Sequence, residues 1–342
     1  MRILVIRSSA MGDVALTAPA ISGMKVLNPD VEIVMLTRPL FRHFFTEDDK
    51  FKLFLPDFNG RHKGFAGIFR MFNDLRKTGT FDYVIDLHNV IRSRIIGVLF
   101  RLTGSTVTII DKGREEKRRL IKGLDKRPLK HSVERYFETF NKAGFHAAVT
   151  AGPWIRPSES SFEKVSEIFE NENVINIGVA PFAKHTLKTW PERYMEKLLQ
   201  LISGGRDVKF WFFGGREDKE KLEALAAKIG NSYCFAGAHS LEVELAAISK
   251  LHFMIAMDSS NMHMAALVST KVISIWGATD SMTGFGAWDQ PGSYSIRIPV
   301  EELTCRPCTV FGKGVCRRGD FACMEMLTSE IVYNKIIELG LL

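Results

Sequence analysis

The chain has 342 residues, 46% of them hydrophobic and 25% charged, which excludes a disordered chain and suits two domains with a core each. A formal net charge of +7 favours anionic partners such as phosphates, nucleic acid or acidic lipid headgroups, without choosing among them. The first residues run straight into a short apolar stretch without a secretory-type leader, and no uncharged apolar run approaches the ~20 residues that span a bilayer, so a cytoplasmic protein is expected.

In chain order, "RILVIRSS" reads as a buried strand and "VALTAPAISGMKVL" as an amphipathic helix. "VEIVMLTR" is a strand, "FAGIFRMFNDLRKT" a helix, "FDYVIDLHN" a strand, "IRSRIIGVLFRLTG" a helix ending at Gly104 and "STVTIID" a strand. Residues 111–130 are dense in charge and read as an exposed connection; "HSVERYFETFNKAGF" then forms a helix. The alternation restarts after Pro153 and Pro157. "NVINIGVAPFA", "VKFWFFGG", "LHFMIAMDSS" and "KVISIWGATD" read as strands. "WPERYMEKLLQLI", "REDKEKLEALAAKIG", "SLEVELAAISK", "NMHMAALVS" and the closing "SEIVYNKIIELG" read as helices. Strand–helix alternation implies α/β architecture, with two doubly wound, parallel-sheet units and a ligand cleft between them. The expected division is 1–150, a linker at 151–160, a second domain at 161–325 and a closing helix at 326–342.

Ligands of open parallel sheets gather beyond the carboxyl ends of the strands. Four such ends carry polar chemistry here. In "SSAMGD", Gly12 permits close backbone approach, and Asp13 reads either as a helix cap or as a general base within reach of a substrate hydroxyl. No Gly-x-Gly-x-x-Gly fingerprint is present there, which disfavours a nicotinamide or flavin enzyme. In "APFAKHTLKTWP", Lys184 and Lys188 follow a strand, and Lys188 reads as a phosphate contact or a solvated surface lysine. In "FGGREDK", Glu217 or Asp218 is either an acceptor for ribose hydroxyls or a helix N-terminal acid. "MDSSNMHMAALVSTKVISIWGATD" is the strongest signal. Asp258, Ser259, Ser260, Asn261 and His263 crowd one strand-to-helix junction, where backbone N–H groups and hydroxyls suit a diphosphate.

The opening "MRILVIRSSAMGDVALTAPA", the segment "YVIDLHNVIRSRI", "KTWP" and the stretch from Met257 to Asp280 resemble the ADP-heptose:lipopolysaccharide heptosyltransferases of glycosyltransferase family 9, over nearly the whole chain. The resemblance implies a GT-B fold of two facing Rossmann-like domains and an inverting, metal-independent sugar transfer requiring no cofactor. It puts an anionic lipopolysaccharide core acceptor on the N-terminal domain and the nucleotide-sugar ADP-heptose on the C-terminal one. It makes Asp13 the general base, Lys188 the donor-phosphate lysine, Asp258, Ser259 and His263 part of the donor motif, and Glu217 or Asp218 the ribose contact. It also implies work at the cytoplasmic face of the inner membrane. Ser260-Asn261 stands where many members have Gly-Pro, and "WGATD" where many have "FGPTD", which alters the lining of the donor pocket.

Arg61, Lys63, Arg92 and Arg94 are candidate acceptor contacts, with His88 left open between binding and structure; the cluster from Lys112 to Arg119 reads first as a solvated face. Cys305, Cys308, Cys316 and Cys323 are spaced C-x2-C-x7-C-x6-C. One half resembles a zinc knuckle, but the second close pair is missing, so free thiols are expected ahead of a structural zinc. A nucleic-acid partner is not expected, because acids and bases are interspersed and no aromatic-rich basic motif is present. The remaining alternatives are a related enzyme with another nucleotide-sugar and a binding protein without turnover.

Overall fold

The computed structural model describes residues 1–169 and 174–342; Asn173, the first residue of one expected strand, lies outside them. The chain forms two compact units, Met1–Gly113 with Ser132–Arg156, and Arg114–His131 with Pro157–Leu342.

The first unit has strands β1 (Arg2–Ile6), β2 (Glu32–Leu36), β3 (Phe51–Phe54), β4 (Tyr83–Asp86) and β5 (Thr106–Ile109). All pair in parallel, in the order β3-β2-β1-β4-β5. Helices α1 (Met11–Ala15) and α2 (Ala18–Leu27) follow β1, α3 (Gly64–Lys77) follows β3, and α4 (Ile91–Leu102) follows β4. Helix α5 (Arg114–Ile121) belongs to the second unit, and α6 (Ser132–Lys142) returns to the first. Apolar residues recur at helical spacing in α3, so Ile68, Met71, Phe72 and Leu75 face the sheet. Phe72 meets Phe100 of α4 edge to face, with centroids 4.8 Å apart.

The second unit begins with α7 (Glu159–Ser166) and β6 (Ile175–Ala180). It continues through α8 (Glu192–Ser203), β7 (Val208–Phe212), α9 (Lys219–Ile229), β8 (Ser232–Cys234), α10 (Leu241–Ser249), β9 (Phe253–Met257), α11 (Ser260–Leu267), β10 (Lys271–Ile275), β11 (Ser295–Ile296), α12 (Ala322–Glu325) and α13 (Ser329–Glu338). Its sheet is also parallel, in the order β11-β10-β9-β6-β7-β8. Val332 and Ile336 of α13 join the core built by Leu198, Leu199 and Ile202 of α8, and the buried Trp190 indole donates to the Leu327 carbonyl at 2.9 Å. Both units are Rossmann-like, each a parallel sheet whose strand order reverses near its middle. No helix among the described residues is long and apolar enough to cross a membrane.

Four local expectations are corrected. The single helix read over residues 14–27 is two, because Pro19 lacks an N–H and starts a new helix after Leu16 and Thr17. Residues 114–121, read as connection, form α5, whose only buried side chain is Leu120. Strands β3, β8 and β11 were not anticipated; they are four residues or fewer and lie at or toward the sheet edges. Residues 159 and 160, placed in the linker, already belong to α7.

Candidate active site

In the first unit the strand order reverses between β1 and β4, so the loops after those strands open a crevice at the carboxyl edge of the sheet. The loop after β1 carries Arg7, Ser8 and Ser9, and α1 carries Gly12 and Asp13 in its first turn. Arg7 is buried and forks between two acceptors. One guanidinium nitrogen donates to the Leu87 carbonyl at 2.7 Å, and the other lies 2.9 Å from Asp13 Oδ1. Burial works against the Arg7 charge, but Tyr136 and Asp13 outweigh it and its pKa is raised. The second Asp13 oxygen is 3.4 Å from the Ala10 N–H, long for a cap, and the carboxylate is about one-third exposed (30%). Tyr136 on α6 donates to the Asp13 carbonyl at 3.1 Å, and burial raises its phenol pKa, so it remains a donor. Asp13 is therefore oriented by Arg7 with one edge open to solvent, a geometry suited to accepting a proton.

His88 follows β4. Its ring nitrogens lie 3.4 Å from Ser8 Oγ and 3.0 Å from Ser9 Oγ. Burial, then the charges of Arg7 and Lys112, push its pKa down to about 3, so the ring is neutral at physiological pH. Asp86, the last residue of β4, is buried and accepts from the backbone N–H groups of His88 and Asn89 and from Ser93 Oγ, at 2.8 to 2.9 Å. It holds the turn that presents His88.

The basic candidates separate. Arg61 is bidentate on Asp74, at 2.5 and 2.8 Å. Lys63 is exposed immediately before α3. Arg92 lies over the Phe58 ring at 4.2 Å, with Arg38 on the same ring at 5.6 Å. Burial and the Arg38 charge lower the Arg92 pKa, the electrostatic condition that a bound anion relieves. Arg94 is exposed and donates to Asn89 Oδ1 at 2.8 Å.

In the second unit the order reverses between β6 and β9. Lys188 closes a 3-10 turn (Thr186–Lys188) beyond β6, and Asp258 follows β9. The two meet at 2.8 Å, with side chains 15% and 7% exposed. The Lys188 stem crosses Gly312, whose φ is +74° and whose added Cβ would lie 2.5 Å from Lys188 Cγ; only glycine seats the lysine there. Beside Asp258, helix α11 starts without a side-chain cap, and Ser259 Oγ is buried with no hydrogen-bond partner among the described residues. Ser260 and Asn261 supply the first helical N–H groups, and His263 is buried one turn on. Lys184 is exposed in the loop before Lys188. After β7, Asp218 Oδ2 accepts from the Gly215 N–H at 3.4 Å, whereas the exposed Glu217 carboxyl lies against Gly215 without a polar partner among the described residues. Glu217 is thus the freer acceptor.

Asp280, in "WGATD", is fully buried and serves structure: it pairs with Arg306 and Arg297 at 3.3 Å each. Arg306 also donates to the carbonyls of Gly277, Thr279 and Ile298, tying the cysteine-bearing loop to the end of β10. Cys305, Cys308, Cys316 and Cys323 form no disulfide, and no group of three or more His, Cys, Asp or Glu among the described residues is arranged to hold a metal ion. In the basic cluster, Arg118 pairs with Glu115 and Lys117 lies over Phe285 at 4.2 Å.

Sequence reasoning missed Arg7, Asp86, Arg38, Gly312 and Glu244. Arg7 and Asp86 had a signal, a charge at the carboxyl end of an apolar strand. Glu244 sits on α10 between buried Val243 and Leu245, and burial pushes its carboxyl up to about 8.

The family model of glycosyltransferase family 9 (heptosyltransferase) matches residues 68–310. No curated protein matches the sequence significantly. Among solved structures, a family 9 glycosyltransferase from Veillonella parvula DSM 2008 superposes with a TM-score of 0.78 at 18% identity, covering 99% of this chain and 96% of that one. An E. coli ADP-heptose lps heptosyltransferase II gives 0.70 at 16% identity, with 99% and 98% covered. E. coli heptosyltransferase WaaC with ADP-2-deoxy-2-fluoro heptose gives 0.69 at 19%, with 99% and 100% covered. At these identities the structural likeness speaks for the fold.

Proposed function

The chain belongs to glycosyltransferase family 9, the heptosyltransferases, and on that premise we propose that it transfers a heptose from ADP-heptose to the anionic inner core of lipopolysaccharide at the membrane surface. The observation that carries this reading is the Lys188–Asp258 pair beside the uncapped start of α11, with the unpartnered Ser259 hydroxyl. A cation, free N–H groups and an orphan hydroxyl converge where a diphosphate needs them.

Asp13 accepts the proton of the acceptor hydroxyl as that oxygen attacks the anomeric carbon from the face opposite the diphosphate. The new C–O bond forms as the bond to the diphosphate oxygen breaks, and the anomeric configuration inverts. Arg7 orients the Asp13 carboxylate through its 2.9 Å contact. Lys188 and the N–H groups of Ser260 and Asn261 take up the charge that develops on the departing ADP, and Asp258 positions Lys188 until the donor arrives. Glu217 accepts from the ribose hydroxyls. Lys63, Arg92 and Arg94 receive the acceptor's phosphates or carboxylates, with neutral His88 as a hydrogen-bonding partner. Arg61, held by Asp74, is left out of this assignment.

A donor screen tests the reading. ADP-heptose is expected to raise the melting temperature and release ADP in the presence of acceptor, while UDP- and GDP-sugars do neither. Stabilisation by UDP- or GDP-sugars alone would overturn the heptose assignment while leaving a glycosyltransferase.

A further inference from the structure

The second unit holds a group of thiols that the proposed chemistry does not use. Cys305, Cys308 and Cys316 line one cavity of about 150 Å³ between the end of α5 and the loop that precedes α12. The Cys305 and Cys308 thiols are in hydrogen-bonding contact. Cys305 is exposed and Cys308 half-buried. A Cys-x-x-Cys pair with one reachable and one sheltered sulfur is the arrangement of a dithiol that closes and reopens a disulfide. Cys323, on α12, is buried, and burial pushes its thiol up to about 12, which keeps it out of exchange. Lys122, Lys126 and Arg317 line the same cavity, together with Arg318, which pairs with Asp320 at 2.8 Å. Cationic walls favour a thiolate and an anionic co-reactant.

Two backbone hydrogen bonds join this pair to the turn that presents Lys188. The Cys308 N–H donates to the Ala278 carbonyl at 2.9 Å, and the Ala278 N–H donates to the Leu187 carbonyl at 3.3 Å. Leu187 precedes Lys188 in its 3-10 turn, and Gly312, which seats the Lys188 stem, lies in the loop from Cys308 to Cys316. Arg306, between the two cysteines, is fixed by the Gly277 and Thr279 carbonyls, so drawing the sulfurs together displaces Cys308. We propose that Cys305 and Cys308 are a redox-modification site for anionic low-molecular-weight disulfides such as oxidised glutathione, and that their oxidation displaces Lys188 and weakens donor binding. Cys305, as thiolate, attacks one sulfur of the small disulfide; a mixed disulfide forms, and the other half leaves as a thiolate that takes up the Cys305 proton. Cys308 then attacks the Cys305 sulfur, and the second half leaves with the Cys308 proton. The protein loses two electrons and two protons, and the small disulfide becomes two thiols. A disulfide of this kind in a reducing compartment is transient and reversible. The effect on the donor rests on the reading of Lys188 as its phosphate contact; the site itself does not.

The test equilibrates the full chain in glutathione buffers of graded ratio of oxidised to reduced form and maps disulfides by peptide mass spectrometry. One intramolecular bond, Cys305 to Cys308, is expected. With it come a change in amide hydrogen exchange over residues 186–189 and 277–279 and an ADP-heptose affinity lowered at least about fivefold, all reversed by dithiothreitol. In Cys305→Ser the affinity of the reduced protein is expected to be unchanged and the response to oxidised glutathione lost, whereas Cys316→Ser keeps both. The proposal is overturned if no bond forms across the series, if the bond joins Cys316 or Cys323 instead, if exchange over residues 186–189 does not change, or if the oxidised protein binds ADP-heptose as well as the reduced one. A metal ion held stoichiometrically by the reduced thiols would also overturn it. If the reduced protein does not bind ADP-heptose while the bond and the exchange change both appear, the site is supported and the donor assignment fails.

Discussion

The pair of Lys188 and Asp258 makes a quantitative prediction. At 2.8 Å the attraction is about 6 kcal/mol at an effective dielectric of about 20. Desolvation removes much of that, so the net coupling is expected at about 2–3 kcal/mol. The two single substitutions are not equivalent. In Lys188→Met the Asp258 carboxylate, 7% exposed, is left without its cation, at a cost of about 3–5 kcal/mol. In Asp258→Asn the lysine, already 15% exposed, can swing its long stem towards water, and the cost is about 1–2 kcal/mol. The double variant is therefore expected to be more stable than Lys188→Met alone. Urea unfolding of the four proteins measures the cycle. Single-variant effects that add to within about 0.5 kcal/mol in the double variant would refute the pair as a buried, coupled unit.

Two further predictions concern the second unit. Gly312→Ala is expected to weaken ADP-heptose binding by displacing Lys188, while Gly314→Ala, also at positive φ but with open space around it, strains the backbone without changing donor affinity; isothermal titration of both separates seat from strain. Burial pushes Glu244 up to about 8 against about 4.5 in the unfolded chain, so between those values the unfolded chain releases a proton that the folded one keeps. Stability from this group is complete below about pH 4.5 and falls as pH rises towards 8, by up to about 1.4 kcal/mol per unit. In Glu244→Gln that slope disappears and the melting temperature at pH 8 rises above the parent's; parallel pH profiles would show the carboxyl to be solvated.

The sheet strands were legible where they are buried on both faces. "ILVI", "FMIAM" and "VISI" are uninterrupted apolar runs because helices cover both sides of a parallel sheet. The same physics hides β3, whose "FKLF" is an edge strand with a charged, exposed Lys52. Helix α5 was obscured by composition: with one buried side chain in eight residues, "REEKRRLI" carries almost no apolar periodicity. Polar residues that follow strands, such as Asp13, Lys188 and Asp258, stand out in the sequence as candidates because topology sends ligands to those positions. Their partners do not. Arg61, before α3, meets Asp74 near the far end of that helix, Lys188 meets Asp258 from another strand, and Gly312 seats Lys188 from a distant loop. Such pairings depend on tertiary register, which spacing alone does not encode.

The most direct test of the proposed chemistry is Asp13→Asn assayed with ADP-heptose and a lipopolysaccharide core acceptor. Turnover is expected to fall about 100- to 10,000-fold, with the thermal shift on ADP-heptose unchanged. Near-parental turnover in that variant would contradict the assignment of Asp13 as the base.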